Sequence, residues 1–306
     1  MGTTIDRLNV TRGGWRARHS ALRLAVTAAK TCLAAAQRDA ADVDLLINAG
    51  IYRDKNLGEP ALAALIQEDV GANPEDPHDD AHGTFSFDIA NGTCGVLNAL
   101  QIADGFLRSR TIDCALITAS DADPGRGMSE RFPFSPVGAA LLCNWTDDDC
   151  GLGAVHWASD PDDGESFRAT VGSDARNVLR IRESPELDKR LAIVATRAAI
   201  GCLDESRVAL ADVDVVIASP ARHGFRTALA THLGMPLERV VVDDDEKTHT
   251  ASLAAALDRA LNHVPIGARV MLVAAGAGIT AGAALYREPP IPNWAPRMRT
   301  RSPDPC

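Results

Sequence analysis

The chain repeats one pattern, in which an acidic lead runs into an apolar strand. The copies are DVDLLINAG, beginning at Asp42, and DVDVVIASP, beginning at Asp212. An alanine-rich helical pattern precedes each copy, over 22–33 and 191–203, and similar helices and strands follow each copy in the same order. Solenoid repeats have periods of about 20–50 residues. The separation between Asp42 and Asp212 is much longer, which is typical of two copies of one layered unit. The sequence therefore predicts an α/β fold built from two duplicated βα halves.

The repeat also divides the chain. We predict a first half over 1–156 and a second half over 184–288, joined by a connecting segment over 157–183. The remaining tail, 289–306, is rich in proline and arginine, which is typical of a poorly ordered terminus.

The stretch FSFDIANGTCGVLNAL, beginning at Phe85, is a candidate site. Its alternating apolar residues predict a half-buried strand, and apolar steps of three and four predict a helix over 95–108. The turn between them sets Thr93 and Cys94 at the helix start, where free backbone N–H groups favour an anion. A thiol there should have a pKa below its reference value of about 8.5. The alternative is that Cys94 only fills the helix–sheet contact.

The repeat predicts a partner for this turn. Residues 247–250 take the place in the second half that residues 92–94 take in the first, so we expect His249 near Thr93 and Cys94. A cysteine and a histidine need only hydrogen-bond reach to act as nucleophile and base.

Composition excludes several classes of function. The net charge of −10 argues against nucleic acid and anionic membrane surfaces as partners. Since no apolar run approaches the roughly 18 residues of a membrane span, we expect a soluble, cytoplasmic protein. The seven scattered cysteines form no CxxC pair, which indicates reduced thiols and neither a metal site nor a disulfide framework. No bound cofactor is expected.

Several motifs resemble the thiolase superfamily, in particular its β-ketoacyl synthase III branch, over nearly the full length. The motifs are FDIANGTCGVLNALQIADGFL, LITASDA, FSPVGAALL, THLGMPLERVVV and VMLVAAGAGITAGAALYR. The resemblance implies a thiolase fold with five layers, αβαβα, and usually a dimer across the sheet edge next to the nucleophile helix. It also implies acyl-thioester substrates, carried by coenzyme A or an acyl carrier protein, and acyl-transfer or Claisen-condensation chemistry.

The family's catalytic residues do not carry over cleanly. In the family a cysteine at the helix start is acylated, and a histidine and an asparagine hold the thioester oxygen. Here Thr93 stands at the cysteine position and Cys94 follows it, while His249 stands in the asparagine's place. Ser219 begins the run where the family has its histidine, and His223 is a possible substitute four residues later. Losing one oxyanion donor typically costs about 10²–10³ in rate, so these changes predict little condensation activity.

A loop in the first half carries a further candidate. The run GIYRDKNLGEP, beginning at Gly50, resembles the loop of OleA-type head-to-head acyl-CoA condensing proteins. In those proteins a glutamate before a proline reaches across the dimer and serves as the base, and Glu59 with Pro60 matches this motif. A carboxylate in a dry pocket can acquire the raised pKa that such a base requires. The alternative places Glu59 in the first turn of a helix over 61–70, with Pro60 at its first position.

Three hypotheses follow for the function. The chain is the partner subunit of a heterodimer, lending Glu59 to a paralogue with an intact triad, in β-lactone, olefin, lipid or secondary-metabolite synthesis. Alternatively it is a stand-alone acyltransferase or thioesterase that uses Cys94 and His249, assisted by Ser219 or His223. The third possibility is a non-catalytic scaffold subunit. A homodimer is the alternative assembly.

Overall fold

A computed structural model describes residues 1–14, 19–73, 83–172, 177–261, 263–265 and 267–289. Apart from Pro289, the predicted tail lies outside these ranges. The helices in the described ranges are α1 Ala21–Ala36, α2 Leu62–Val70, α3 Gly95–Arg108, α4 Leu187–Ser206, α5 His223–Leu233 and α6 Ser252–Leu261. The strands are β1 Gly2–Arg12, β2 Leu45–Asn48, β3 Phe85–Asp88, β4 Cys114–Asp121, β5 Val137–Thr146, β6 Gly151–Ser159, β7 Phe167–Val171, β8 Leu179–Glu183, β9 Val215–Ser219, β10 Val240–Val241, β11 Arg269–Gly276 and β12 Thr280–Arg287.

Ten of these strands form one mixed sheet made of two similar parts. The order is β10-β9-β11-β12-β6 in one part and β1-β5-β4-β2-β3 in the other. β2 runs parallel to β3 and β4, and β9 runs parallel to β10 and β11, while the remaining pairs are antiparallel. The two parts meet at β1 and β6, where Thr3 pairs with Leu152. The predicted duplication is confirmed, because the same strand order occurs twice.

Helices cover the sheet in layers. α3 and α6 pack together in one core against strands of both halves, since apolar residues of β2, β4, β9 and β11 belong to the same cluster. α1 and α2 cover the opposite face of the first half, and α4 and α5 cover that of the second. The central parallel strands are buried on both faces, which explains their continuous apolar runs. The five-layered αβαβα arrangement is therefore confirmed.

The segment between the halves contains a hairpin. β7 and β8 pair with each other in a separate two-stranded sheet that lies within the predicted connecting segment, 157–183. β6 begins at Gly151 and pairs with β12 of the second half, although the sequence assigns 1–156 to the first half. The domain boundaries themselves stay predictions.

The longest helix in the described ranges, α4, has 20 residues and buries one face of leucine, valine and alanine. Its opposite face carries charged residues, as expected of a helix covering a sheet. Among the described residues, none of the helices combines the length and apolar character needed to cross a membrane.

Close packing of α1 on β5 leads to a stability prediction. A Cβ on Gly138 would lie 2.6 Å from the carbonyl carbon and oxygen of Leu24, whereas a Cβ on Gly105 in α3 would meet nothing within 4 Å. Gly138→Ala should therefore lower the free energy of unfolding by about 1–3 kcal/mol. Gly105→Ala should raise it by about 0.5–1 kcal/mol, because alanine restricts the unfolded chain. Urea unfolding of both variants checks this, and equal effects would contradict it.

Candidate active site

A cavity of about 430 Å³ lies where the two halves meet, beyond the carboxyl ends of the parallel strands. Open α/β sheets commonly bind ligands at this edge. Residues after β2, β3, β9, β10 and β11 line the cavity, together with four residues of β7 and β8 and two of α4. The lining includes Tyr52, Gly92, Thr93, Phe134, Phe167 and His249.

The turn before α3 is held by the second half. Thr93 Oγ1 donates to the carbonyl oxygen of Ala275 at 2.5 Å, and Ser219 Oγ donates to the carbonyl oxygen of Thr93 at 2.9 Å. A Cβ on Gly276 would lie 3.1 Å from Thr93 Oγ1 and 3.2 Å from Cys94 Sγ, so β11 approaches this closely only through glycine. Thr93, at the family's cysteine position, therefore lines the cavity with its hydroxyl hydrogen-bonded to the backbone.

The turn before α6 reaches the same cavity. A Cβ on Gly92 would lie 3.7 Å from His249 Nε2, so the imidazole faces the turn that carries Thr93. Its ring stacks on Phe134 at a centroid distance of 4.2 Å, with Tyr52 tilted against it at 5.2 Å. The structure thus brings His249 and Thr93 together, as the internal repeat predicts.

A buried carboxylate orients His249. Nδ1 lies 3.3 Å from Asp121 Oδ2, which also accepts hydrogen bonds from the N–H and hydroxyl of Thr250, both at 2.7 Å. The other oxygen, Oδ1, accepts the N–H of Tyr52 at 3.0 Å. Burial acts to raise the pKa of Asp121, but the hydrogen bond and charge of His249 and the bonds from Thr250 outweigh it. The pKa of Asp121 is consequently below its ordinary value.

Cys94 points away from the cavity. It is fully buried in the core between α3 and the sheet, with Sγ 3.7 Å from the carbonyl oxygen of Thr280. Burial raises the pKa of its thiol to about 12. The predicted lowering of this pKa by the helix N-terminus is therefore wrong, because removal from water outweighs the helix dipole. In this structure Cys94 fills the helix–sheet contact.

The remaining candidates of the second half lie off the cavity lining. Ser219 is fully buried and its hydroxyl holds the Thr93 turn, while the following Pro220 faces the cavity. His223 begins α5 with its side chain 65% exposed, and its Nδ1 lies 3.5 Å from Glu246. Neither side chain touches the space between Thr93 and His249.

Glu59 is exposed and lies outside the cavity of its own chain. Helix α2 begins at Leu62, and Asp88 accepts the N–H groups of Leu62 and Ala63 at 2.8 Å. The alternative that places Glu59 in the first helical turn is therefore wrong, since Asp88 is the carboxylate at the helix N-terminus. Arg53 joins Asp88 to the loop, because it pairs with Asp88 at 3.3 Å and donates to the carbonyl oxygen of Gly58 at 2.6 Å.

Sequence reasoning missed two features of the site. Asp121 is not among the candidate residues of the sequence analysis, but it ends β4 and is the hydrogen-bond partner of His249. A carboxylate closing a strand with no other charged residue is the signal that could have found it. At the cavity mouth, Arg222 pairs with Glu183 at 2.7 Å and also with Asp188. This group joins three separated elements, and no local pattern indicates it.

The duplicated halves with two converging turns define the class of protein as thiolase-like, and comparisons with known proteins agree. The family described as 3-oxoacyl-[acyl-carrier-protein (ACP)] synthase III C terminal matches residues 203–288. A β-ketoacyl-[acyl-carrier-protein] synthase III of Caulobacter vibrioides is 29% identical, over 93% of this chain and 91% of the relative.

Two solved structures share the fold. The 3-oxoacyl-[acyl-carrier-protein] synthase III of Aquifex aeolicus superposes with a TM-score of 0.79 at 23% identity, covering 94% of this chain and all of that one. OleA of Xanthomonas campestris with bound lauric acid and lauroyl-CoA has a TM-score of 0.77 at 16% identity, covering 94% of this chain and 99% of that one. In sequence and in fold the chain is therefore similar to thiolase-superfamily proteins of the β-ketoacyl synthase III type.

The burial of Cys94 leads to a labelling prediction. In the native protein at neutral pH, Cys94 should resist iodoacetamide, because a thiol with a pKa of about 12 forms almost no thiolate. In denaturant the same residue should react like an ordinary cysteine. Peptide mass mapping before and after unfolding checks this. Rapid native labelling of Cys94 would show that the turn can present the thiol to the cavity.

The hydrogen bonds of Asp121 lead to a stability prediction. Because its pKa is lower in the folded than in the unfolded chain, its stabilisation is present above the ordinary pKa of about 3.9. This stabilisation is lost as the pH falls through the folded-state value. Asp121→Asn should lower the free energy of unfolding near pH 7 by about 3–5 kcal/mol and reduce its decline in acid. Urea unfolding between pH 3 and 7 checks this, with exposed Asp69→Asn as the control.

Proposed function

We propose that the chain is a subunit of an acyl-thioester condensing enzyme and that it lends Glu59 to a paralogous subunit carrying the nucleophile. Support for the reaction class comes from the curated relatives, which are named β-ketoacyl-[acyl-carrier-protein] synthase III. The observation that supports the division of roles is the orientation of the turn before α3, residues 92–94, which we call the nucleophile turn. It presents Thr93 to the cavity and buries Cys94 with a raised pKa.

An acyl group cannot be loaded on Cys94 in this conformation. A thioester must reach Sγ along an open path, and the thiol must lose its proton to become nucleophilic. Cys94 is fully buried, and the cavity is not lined by it. Thr93 is no substitute, because its hydroxyl donates to Ala275 rather than to a base. Condensation therefore needs a second subunit whose own turn carries an accessible thiol.

The exposure of Glu59 supports a role toward another subunit. It is exposed in a loop that Arg53 and Asp88 hold against the start of α2. The neighbouring strand β3 ends the sheet, and Phe85 on it is 60% exposed. An edge strand with an exposed aromatic residue favours pairing with another chain, and the resemblance implies a dimer at this edge. Such a dimer would carry the loop toward the partner's cavity.

In this proposal Glu59 is the general base that removes a proton from the α-carbon of the second acyl group. A carboxylate that enters an apolar cavity loses hydration and becomes a stronger base than in water. The carbanion then attacks the acyl group on the paralogue's cysteine, so the two subunits supply base and nucleophile separately. The acyl donors would be thioesters of coenzyme A or of an acyl carrier protein.

Co-expression with the paralogue tests this division of roles. The chain alone should not condense acyl-CoA, whereas the pair should form the condensed product. Glu59→Ala in this chain should lower the rate of the pair by about 10²–10⁴, the usual contribution of a general base. Product formation is measured by mass spectrometry, and size-exclusion chromatography shows whether the complex persists.

The matched control is Glu68→Ala, which removes an exposed carboxylate from α2 and should leave the rate of the pair unchanged. Condensation by the chain alone would contradict the need for a paralogue. An unchanged rate of the pair with Glu59→Ala would favour a non-catalytic scaffold subunit instead.

A further inference from the structure

The contacts of His249 determine which of its ring nitrogens carries the proton. Its Nδ1 faces Asp121, whose carboxylate is 2% exposed and has a pKa below its ordinary value. An ionised carboxylate only accepts hydrogen bonds, so Nδ1 must be the donor. In the neutral ring the other nitrogen, Nε2, is then the acceptor. That nitrogen is turned toward Gly92 and the cavity.

Nε2 is also available to a ligand. Among the described residues no protein group hydrogen-bonds it, and the side chain keeps 11% exposure through the cavity. The ring is held on its other sides by stacking on Phe134 and by Tyr52. A histidine with one nitrogen on a buried carboxylate and the other facing a cavity has the arrangement of a general base.

The nucleophile that such a base would activate is water. Cys94 is turned into the core, and the proton of Thr93 is directed to the carbonyl oxygen of Ala275, away from the imidazole. The lone pairs of the Thr93 hydroxyl remain able to accept a hydrogen bond from a water molecule in the cavity.

We propose that His249, positioned by Asp121, is the general base of a hydrolytic activity in this chain's own cavity, in which water cleaves an acyl thioester. The substrate class rests on the proposed function. The activity itself requires neither Glu59 nor a second subunit. It would make the chain's own cavity a second reactive site, distinct from the condensation site of the paralogue.

The reaction balances without any further reactant. Nε2 takes a proton from water as the water oxygen bonds to the thioester carbonyl carbon, and the carbonyl electron pair moves onto its oxygen. Collapse of this intermediate breaks the carbon–sulfur bond. The leaving thiolate receives the proton from His249, so the products are a carboxylic acid and a free thiol.

The proton transfer between water and Nε2 takes place among several charged groups. The other titratable or charged groups around the cavity are the Tyr52 phenol and the side chains of Arg168, Glu183, Arg222 and Glu246. Arg222 is paired with Glu183, which reduces the influence of both on the imidazole.

The test uses the full chain alone with lauroyl-CoA, following free thiol with a chromogenic disulfide and lauric acid by mass spectrometry. His249→Asn, which restores the amide that the family has at this position, should lower the hydrolysis rate by about 10²–10⁴. Asp121→Asn lets the imidazole adopt the other tautomer, and should lower kcat more than it changes KM. Circular dichroism shows whether each variant is folded.

The matched control is Glu205→Gln, because Glu205 also bonds a histidine, His156, at 2.8 Å, but outside the cavity. The Glu205→Gln variant should hydrolyse lauroyl-CoA at the wild-type rate. Intact-mass spectra of the wild-type chain, recorded during turnover, should contain no acylated protein. The proposal is overturned if no thiol is released above the buffer rate, if folded His249→Asn hydrolyses at the wild-type rate, or if an acyl adduct accumulates. Failure of the proposed condensing role would instead be seen only in the assay of the pair.

Discussion

The buried carboxylate of Asp121 is the contact on which the arrangement of the site depends. It ends β4 of the first half and accepts hydrogen bonds from His249 and Thr250, which precede α6 of the second half. A buried charge is tolerated only when such bonds replace its hydration, so the turn before α6 cannot move without leaving the carboxylate unsatisfied. This carboxylate therefore joins the two halves at the site and also sets the orientation of the imidazole.

The chemistry available to the cavity is decided by which residue of the nucleophile turn faces it. In Gly92–Cys94 the chain makes one 3₁₀ turn, so consecutive side chains point in different directions, and Thr93 meets the cavity while Cys94 enters the core. Gly276 and Ser219 hold this orientation from the second half. A cysteine at position 93 would face the cavity, whereas the cysteine of this chain, one position later at 94, is buried in the core.

Glu59 and His249 belong to different sites. Glu59 is exposed on a loop near the edge of the sheet, and His249 faces the cavity at the centre of the molecule. Glu59 does not line the cavity of its own chain, whereas His249 lines it and contacts the buried Asp121. The proposed condensing role and the proposed hydrolytic role therefore depend on separate groups.

The sequence by itself determined the duplicated α/β fold, because the repeated acidic lead and apolar strand at Asp42 and Asp212 can be recognised without knowing any contact. It also predicted that the turns with Thr93 and His249 would meet, since equivalent turns of duplicated halves end at the same edge of the sheet. Only the tertiary structure decided the orientation and pKa of Cys94, the role of Asp121 and the true carboxylate at the start of α2. These depend on burial and on hydrogen bonds between segments far apart in the chain, whereas local patterns report only on residues within a few positions of each other.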